Sequence, residues 1–149
     1  MRIALYQPEI AGNVGAILRL SACYGVPVDV VEPCGFAFSD KRLARAGMDY
    51  AADAELVRHR DWAAFDAQRS GRIILLTTTS DALLHHASFR PDDILLLGSE
   101  SAGVPAHVHD AADLRLRIPL RPGFRSLNVG MAAGIALTEA LRQTGGLPE

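Results

Sequence analysis

The fold is decided by the stretch Ile94-Leu95-Leu96-Leu97-Gly98-Ser99-Glu100-Ser101-Ala102-Gly103-Val104-Pro105. Its first four residues form a continuous apolar run, and Ile73–Thr77 forms a similar run. Such runs are typical of parallel strands that are buried on both faces. The loop that follows Leu97 is rich in glycine and serine, which suits a close approach by a small ligand. It also suits a tight turn with a capping carboxylate, and both interpretations stay open at this point.

The same alternation of apolar runs and amphipathic segments extends over the whole chain. Strands are predicted at Arg2–Tyr6, Val28–Glu32, Glu55–Arg58, Ile73–Thr77, Ile94–Leu97 and Leu114–Ile118, the last of them at an edge. Helices are predicted to begin at Asn13, at Ser39 or Asp40, at Asp61 and at Ser126, the last running to about Gln143. About six β-α units predict an α/β fold with a largely parallel sheet and helices on both faces. We expect a single domain over residues 1–149.

Composition excludes several classes of protein. The chain has 149 residues, of which 49% are hydrophobic and 21% charged, so it is not disordered. No apolar run approaches the roughly 18 residues of a membrane-spanning helix. Two cysteines make no disulfide framework, and Cys23 within the first predicted helix is expected in the core. We therefore expect a cytoplasmic protein without membrane association.

Positive charge is clustered although the net charge is −2. Lys41 is the only lysine, and arginine is the better side chain for two-pronged contacts to phosphate. The clusters are Lys41, Arg42 and Arg45; Arg58 and Arg60; and Arg115, Arg117, Arg121 and Arg125. A near-neutral total can hide a basic face for nucleic acid, but each cluster is equally consistent with solvated surface charge.

Three loops that follow predicted strands carry candidate functional residues. The first, Gln7–Arg19, enters a helix N-terminus, where free N–H groups can hold an anion; Arg19 is otherwise a solvated helix residue. The second is the loop 98–105. The third, Ile118–Asn128, contains proline and glycine, and its Ser126 and Asn128 are either site residues or ordinary helix caps. The histidines match no familiar metal-ligand spacing, so no metal is expected.

Taken together and in order, these loops resemble the motifs of one family. The pattern is Pro8-Glu9-Ile10, Asn13, Gly15 and Arg19, then Gly98, Glu100, Gly103 and Pro105, then Ile118-Pro119 and Arg125-Ser126-Leu127-Asn128. It resembles the SPOUT RNA ribose 2′-O-methyltransferases. The stretch Glu32–Tyr50 and the closing Glu139–Gln143 resemble the members that methylate the wobble nucleotide of tRNA.

The resemblance implies an α/β fold with a deep trefoil knot in its C-terminal part. It also implies binding of S-adenosylmethionine, with S-adenosylhomocysteine as product, and no metal. The implied cofactor-binding residues are Leu76, Thr77, Gly98, Glu100, Gly103, Ile118, Leu120, Ser126 and Leu127. Arg19, Ser126 and Asn128 are implied as catalytic, and Asn13, Arg19, Lys41, Arg42, Arg45, Arg121 and Arg125 as RNA-binding.

The implied partners are a tRNA anticodon stem-loop and a second copy of the chain. We expect a homodimer with Asn13–Ala22 and the final helix near its interface. Gly130 and Met131 stand where the family usually has serine and asparagine, which leaves the roles of these two positions open. Two alternatives remain: methylation of another RNA nucleotide, and a binding protein that has lost catalysis.

Overall fold

A computed structural model describes residues 1–39, 41 and 53–149. Within these residues six strands form one parallel sheet in the order β3-β2-β1-β5-β4-β6. The strands are β1 (Arg2–Tyr6), β2 (Val28–Val31), β3 (Leu56–His59), β4 (Ile73–Leu76), β5 (Ile94–Leu97) and β6 (Leu114–Leu116). Every predicted strand is confirmed, with ends that differ by at most two residues. The alternation of arginine with apolar residues in β6 reflects its place at the edge of the sheet.

Three described helices lie between strands and a fourth follows the last strand. The helix between β5 and β6 is not among the predicted ones. The described helices are α1 (Ala11–Tyr24), α2 (Trp62–Gln68), α3 (Ala106–Ala111) and α4 (Val129–Thr144), with a 3-10 turn at Leu84–His86. Asp61 caps α2 as predicted, its carboxylate accepting from Ala64 N at 2.8 Å. The short helix predicted after Ser39 or Asp40 lies outside the described residues, apart from Lys41.

Two predicted helix starts are wrong. Helix α1 begins at Ala11 rather than after Asn13, and Ile10 is its N-cap. The carboxylate of Glu100 accepts from the N–H groups of Glu9 and Ile10, which directly precede the helix. Helix α4 begins at Val129 rather than at Ser126, and Asn128 is its N-cap. The start of α1 has no side-chain cap, so Asn13 does not cap it, whereas Asn128, one of the two predicted caps, caps α4.

The two faces of the sheet carry separate cores. Ile3 and Leu5 belong to a cluster with residues of α1 and α4, whereas Ala4 and Tyr6 belong to one with Phe65 of α2 and Val108 of α3. Successive strand residues point to opposite faces, so a strand covered on both sides must be apolar throughout. The prediction of helices on both faces of the sheet is thus confirmed. Strands β4 and β5 are apolar throughout because both of their faces are buried.

The chain around the end of β6 is enclosed by the loop that follows β4. Thr77 N donates to Leu116 O at 3.0 Å on one side. Arg117 N donates to Ala82 O at 2.8 Å, and Leu84 N donates to Arg117 O at 2.9 Å, on the other. These bonds hold the segment after β6 within the β4–β5 connection. A trefoil knot in this region stays a prediction.

Two further observations concern the surface. Cys23 is exposed on α1, so the expectation that it lies in the core is wrong; helical spacing alone did not show which face of α1 packs on the sheet. In the ranges 1–39 and 53–149, no helix combines the length and the apolar character that crossing a bilayer requires.

Candidate active site

A cleft lies at the carboxyl ends of four neighbouring strands. Because β1, β5, β4 and β6 are adjacent and parallel, the loops that follow them meet at one edge of the sheet. The cleft has a volume of about 1020 Å³, within the range of small-molecule sites. All nine predicted cofactor residues line it: Leu76, Thr77, Gly98, Glu100, Gly103, Ile118, Leu120, Ser126 and Leu127. The sequence motifs, far apart along the chain, therefore converge on one place.

The loop after β5 is a tight turn whose two ends are hydrogen-bonded to each other. Ser99 N donates to Gly103 O, and Gly103 N donates to Ser99 O, both at 2.9 Å. A Cβ atom on Gly98 would lie 2.5 Å from the carbonyl carbon of Gly103, closer than atoms can approach. Gly103 itself has a φ of 65°, in the left-handed region that favours glycine. Gly98 is thus required by the close approach of the Gly103 backbone, and Gly103 is favoured by its own left-handed conformation.

The carboxylate of Glu100 organises the start of α1. It accepts from Glu9 N at 2.7 Å, from Ile10 N at 3.3 Å and from Asn13 Nδ2 at 3.2 Å. A negative charge at a helix N-terminus is favourable because unpaired N–H groups and the helix dipole point toward it. Glu100 lines the cleft, but its carboxylate is engaged with α1, which makes it a positioning residue.

Asn13 and Asn128 extend this network to the third loop. Asn128 Nδ2 donates to Asn13 Oδ1 at 2.9 Å. Asn128 Oδ1 accepts from Gly130 N at 2.9 Å and from Met131 N at 3.3 Å, which caps α4. Side-chain hydrogen bonds between Glu100 and Asn13 and between Asn13 and Asn128 therefore connect the three motif loops. Both ends of the Asn128 amide are engaged, so Asn128 holds the third loop against Asn13 and the start of α4.

The walls of the cleft fit a ligand with an apolar ring and polar groups. Leu76, Ile118 and Leu120 line it and are partly buried. Ser126 and Thr77 bring hydroxyl groups, and the loops that follow β5 and β6 bring backbone groups. No side chain blocks the approach at Gly103, where a Cβ atom would meet nothing within 4 Å.

Arg19 lies apart from this cleft. It is exposed on α1 and is not among the lining residues, although Asn13 on the same helix is. Six residues along an α-helix correspond to an advance of about 9 Å and a rotation of about 240°, so the two side chains leave different faces. Of the predicted catalytic residues, Ser126 and Asn128 line the cleft and Arg19 does not.

The predicted RNA-binding residues divide into several groups. Asn13, Arg121 and Arg125 line the cleft, and both arginines are exposed. Lys41 is exposed but does not line it, while Arg42 and Arg45 lie outside the described residues. The cluster at 115–125 is split, because Arg115 Nε and Arg117 Nε each donate at 2.9 Å to a backbone carbonyl, of His109 and Ser80 respectively.

Phe124 is one of several lining residues that the sequence motifs did not indicate. It lies on the rim of the cleft and is 71% exposed. The sequence feature that could have indicated Phe124 is its position directly after Pro122-Gly123, between Arg121 and Arg125. Within the part of the chain that the structure describes, no three His, Cys, Asp or Glu side chains are grouped so that they could hold a metal ion.

These features define an α/β protein with a ligand cleft at the ends of four parallel strands. The loop that enters the last helix lines one side of this cleft. The chain belongs to the SpoU rRNA methylase family, which matches residues 1–138. It is 52% identical to the tRNA (cytidine(34)-2′-O)-methyltransferase of Beijerinckia indica over 97% of this chain and 92% of that one. Identity to the enzyme of the same name from Escherichia coli K12 is 41%, over 97% and 94% of the chains.

Solved structures agree with this membership. A structure described as giving insights into the 2′-OH methylation of C/U34 on tRNA superposes with a TM-score of 0.90. It is 40% identical and covers 95% of this chain and 94% of its own. An rRNA methyltransferase from Sinorhizobium meliloti, solved with S-adenosylmethionine bound, superposes with a TM-score of 0.83 at 26% identity over 95% of this chain and 55% of that one.

Proposed function

We propose that this protein methylates the ribose 2′-hydroxyl of the wobble nucleotide, position 34, in the anticodon loop of tRNA. The observation that carries the proposal is the 52% identity to an enzyme of that activity over 97% of the chain. The convergence of the three motif loops on one cleft supports the same conclusion. Such a substrate places the enzyme in the cytoplasm.

The cleft is the proposed site of S-adenosylmethionine. When bound, this cofactor supplies an electrophilic methyl group on a positively charged sulfur. Ile118, Leu120 and Leu127 would flank the adenine, and the backbone of the loops at 98–103 and 118–127 would bind its polar groups. The cofactor-bound relative from S. meliloti supports this assignment. We also propose that the C-terminal part is knotted, since the segment after β6 is enclosed by the loop that follows β4.

Arg19 reaches a cleft if two chains pair. Met131 and Ile135, one turn apart on α4, are 62% and 42% exposed and form an apolar row, and α4 packs beside α1. A homodimer would cover this row and bring Arg19 of one subunit to the cleft of the other. The small residues Ala133 and Ala136 do not form this surface, because both are fully buried in the core.

The chain's own residues then have distinct tasks in methyl transfer. A ribose hydroxyl is a weak nucleophile, so its proton must pass to water or to the adjacent RNA phosphate as the oxygen attacks the methyl group and S-adenosylhomocysteine leaves. The guanidinium of Arg19 would hold the adjacent phosphate and favour the ionised hydroxyl through its charge. Ser126 would orient the hydroxyl, and Asn128 would hold the loop that carries Ser126.

Nucleoside mass spectrometry tests the proposal. The protein is incubated with S-adenosylmethionine carrying a labelled methyl group and with unmodified tRNA, and the digested nucleosides are analysed. We expect label on the ribose of nucleotide 34. Label elsewhere would indicate a methyltransferase with another RNA target, and cofactor binding without any label would indicate a binding protein.

Arg19→Ala separates the chemistry from cofactor binding. We expect the single-turnover rate to fall by about a hundredfold or more, since a well-placed charged group contributes this much. Calorimetric affinity for S-adenosylhomocysteine should stay near the wild-type value. Arg19→Lys should restore little, because a point charge cannot reproduce the planar fork. A rate within a few-fold of wild type in Arg19→Ala would contradict the assignment.

A further inference from the structure

A tight turn on the rim of the cleft holds one aromatic side chain in solvent. The turn runs from Arg121 to Phe124, and Phe124 N donates to Arg121 O at 3.3 Å. Pro122 and Gly123 occupy its centre, and Gly123 has a φ of 93°. Proline followed by a glycine of positive φ fits a type II turn. The position of Phe124 is therefore set by a stiff local structure.

The exposure of Phe124 distinguishes it from the walls of the cleft. It is 71% exposed, more than any other large apolar side chain of the described residues, whereas Leu76, Ile118 and Leu120 are partly buried. A ring on the outer rim is placed to contact a molecule that covers the cleft. The inner walls are placed to contact a small ligand within it.

Charge around the turn indicates the nature of that molecule. Arg121 and Arg125 flank Phe124 and are exposed. The sequence from Leu114 to Thr138 contains no aspartate or glutamate. Aromatic rings bordered by arginines are the usual means of holding unpaired nucleotides, since the ring stacks on a base and the arginines bind phosphates.

We propose that Phe124 stacks on a base of the bound RNA, at or beside the nucleotide whose ribose enters the cleft. Arg121 and Arg125 would hold the flanking phosphates. This inference rests on the proposed function and adds to it a base contact that selects an unpaired nucleotide. Stacking is tolerant of base identity because every base presents a flat face. Phe124 would consequently recognise the looped-out form of the RNA and accept either pyrimidine.

Substitutions at Phe124 test the proposal with little risk to folding, because the ring is mostly in solvent. Binding of a fluorescent anticodon stem-loop is measured for Phe124→Ala, Phe124→Leu and Phe124→Trp over a range of salt concentrations. We expect Phe124→Ala and Phe124→Leu to weaken binding by about tenfold, as for loss of one stacked base. Phe124→Trp should bind like wild type. Leu147→Ala, another exposed apolar residue at 41%, is the matched control and should have no effect.

The salt dependence separates stacking from charge. Phe124→Ala should leave the slope of log Kd against log salt unchanged, whereas Arg125→Gln should reduce it by about one unit. Affinity for S-adenosylhomocysteine and the sedimentation coefficient should be unchanged in Phe124→Ala. Wild-type RNA affinity in Phe124→Ala, a parallel loss of cofactor affinity, or a change in oligomeric state would overturn the inference. If wild-type protein binds no RNA at all, the proposed function itself fails.

Discussion

At the residue scale, Asn128 performs two tasks that mutation can separate. Its Oδ1 caps α4 through Gly130 N and Met131 N, and its Nδ2 donates to Asn13 Oδ1. Asn128→Asp keeps the acceptor, and its negative charge suits a helix N-terminus, but the donor is lost. We therefore expect thermal stability near that of wild type together with a slower single-turnover methylation.

Asn128→Ala is the companion variant, because it removes both tasks. Loss of the cap should destabilise the protein by about 1 kcal/mol, and methylation should also slow. Thermal unfolding and single-turnover kinetics on the same preparations give both quantities. A wild-type rate in Asn128→Asp would show that the link to Asn13 has no part in catalysis.

Gly98 provides a second prediction at this scale. Its missing side chain lets the backbone of Gly103 approach, so Gly98→Ala must displace the loop after β5. We expect a lower melting temperature and weaker binding of S-adenosylhomocysteine by calorimetry. Gly12→Ala is the control, because a Cβ atom there meets nothing within 4 Å and alanine favours the helix. Equal behaviour of the two variants would refute the packing argument.

At the scale of elements, the loop that follows β2 is joined to the loop that follows β1. Gly35 N donates to Pro8 O at 2.9 Å, and the Gly35 backbone lies against Glu9, which in turn bonds Glu100 through its N–H group. The loops that follow β1, β2 and β5 are therefore held together at the carboxyl edge of the sheet.

Cys34 reports on this packing. Burial, followed by the negative charge of Glu32, raises the pKa of its thiol to about 11. The thiol is the unreactive form, so at pH 8 alkylation of native Cys34 should be slower than in the urea-unfolded chain by about a hundredfold. The rate should rise as the pH approaches the raised pKa. Mass spectrometry of the peptide that contains Cys34 measures both rates, and equal rates would show that the loop is open.

At the scale of the whole molecule, the exposed row on α4 has the character of an interface. We expect the chain to sediment as a dimer, and Met131→Glu with Ile135→Glu to give monomers near 16.0 kDa. Charges placed in an apolar contact must be desolvated without a partner, which disfavours association. Leu147→Glu, also exposed but outside the row, should leave the dimer intact. A wild-type monomer at micromolar concentration by sedimentation would exclude the arrangement.

Mixed dimers test whether Arg19 serves the neighbouring cleft. An Arg19→Ala chain and an Asn128→Ala chain are each expected to have little activity alone. After the two are unfolded and refolded together, one cleft of each mixed dimer has an intact Asn128 and receives Arg19 from the other chain. Random pairing should restore about a quarter of wild-type activity, since half the dimers carry one complete site. No recovery would assign Arg19 to the cleft of its own chain or to none.

The sequence by itself determined the class of fold and indicated which loops line the cleft. Apolar runs such as Ile94–Leu97 depend on burial on both faces, and this requirement is visible locally in the residue types. The glycine-bearing loops after the strands are visible for the same reason, because a turn or a close approach needs particular residues at particular positions. All nine cofactor residues implied by the motifs line one cleft, so their joint position followed from the order of the strands.

Only the tertiary structure decided how the polar side chains are used. Asn13 looked like a helix cap, but its partners are Glu100 and Asn128, which lie 87 and 115 positions away in sequence. No local pattern records such a pairing, because hydrogen-bond partners are chosen by the packing of distant loops. For the same reason, only the orientation of α1 on the sheet showed that Asn13 lines the cleft while Arg19 does not, and that Cys23 is exposed.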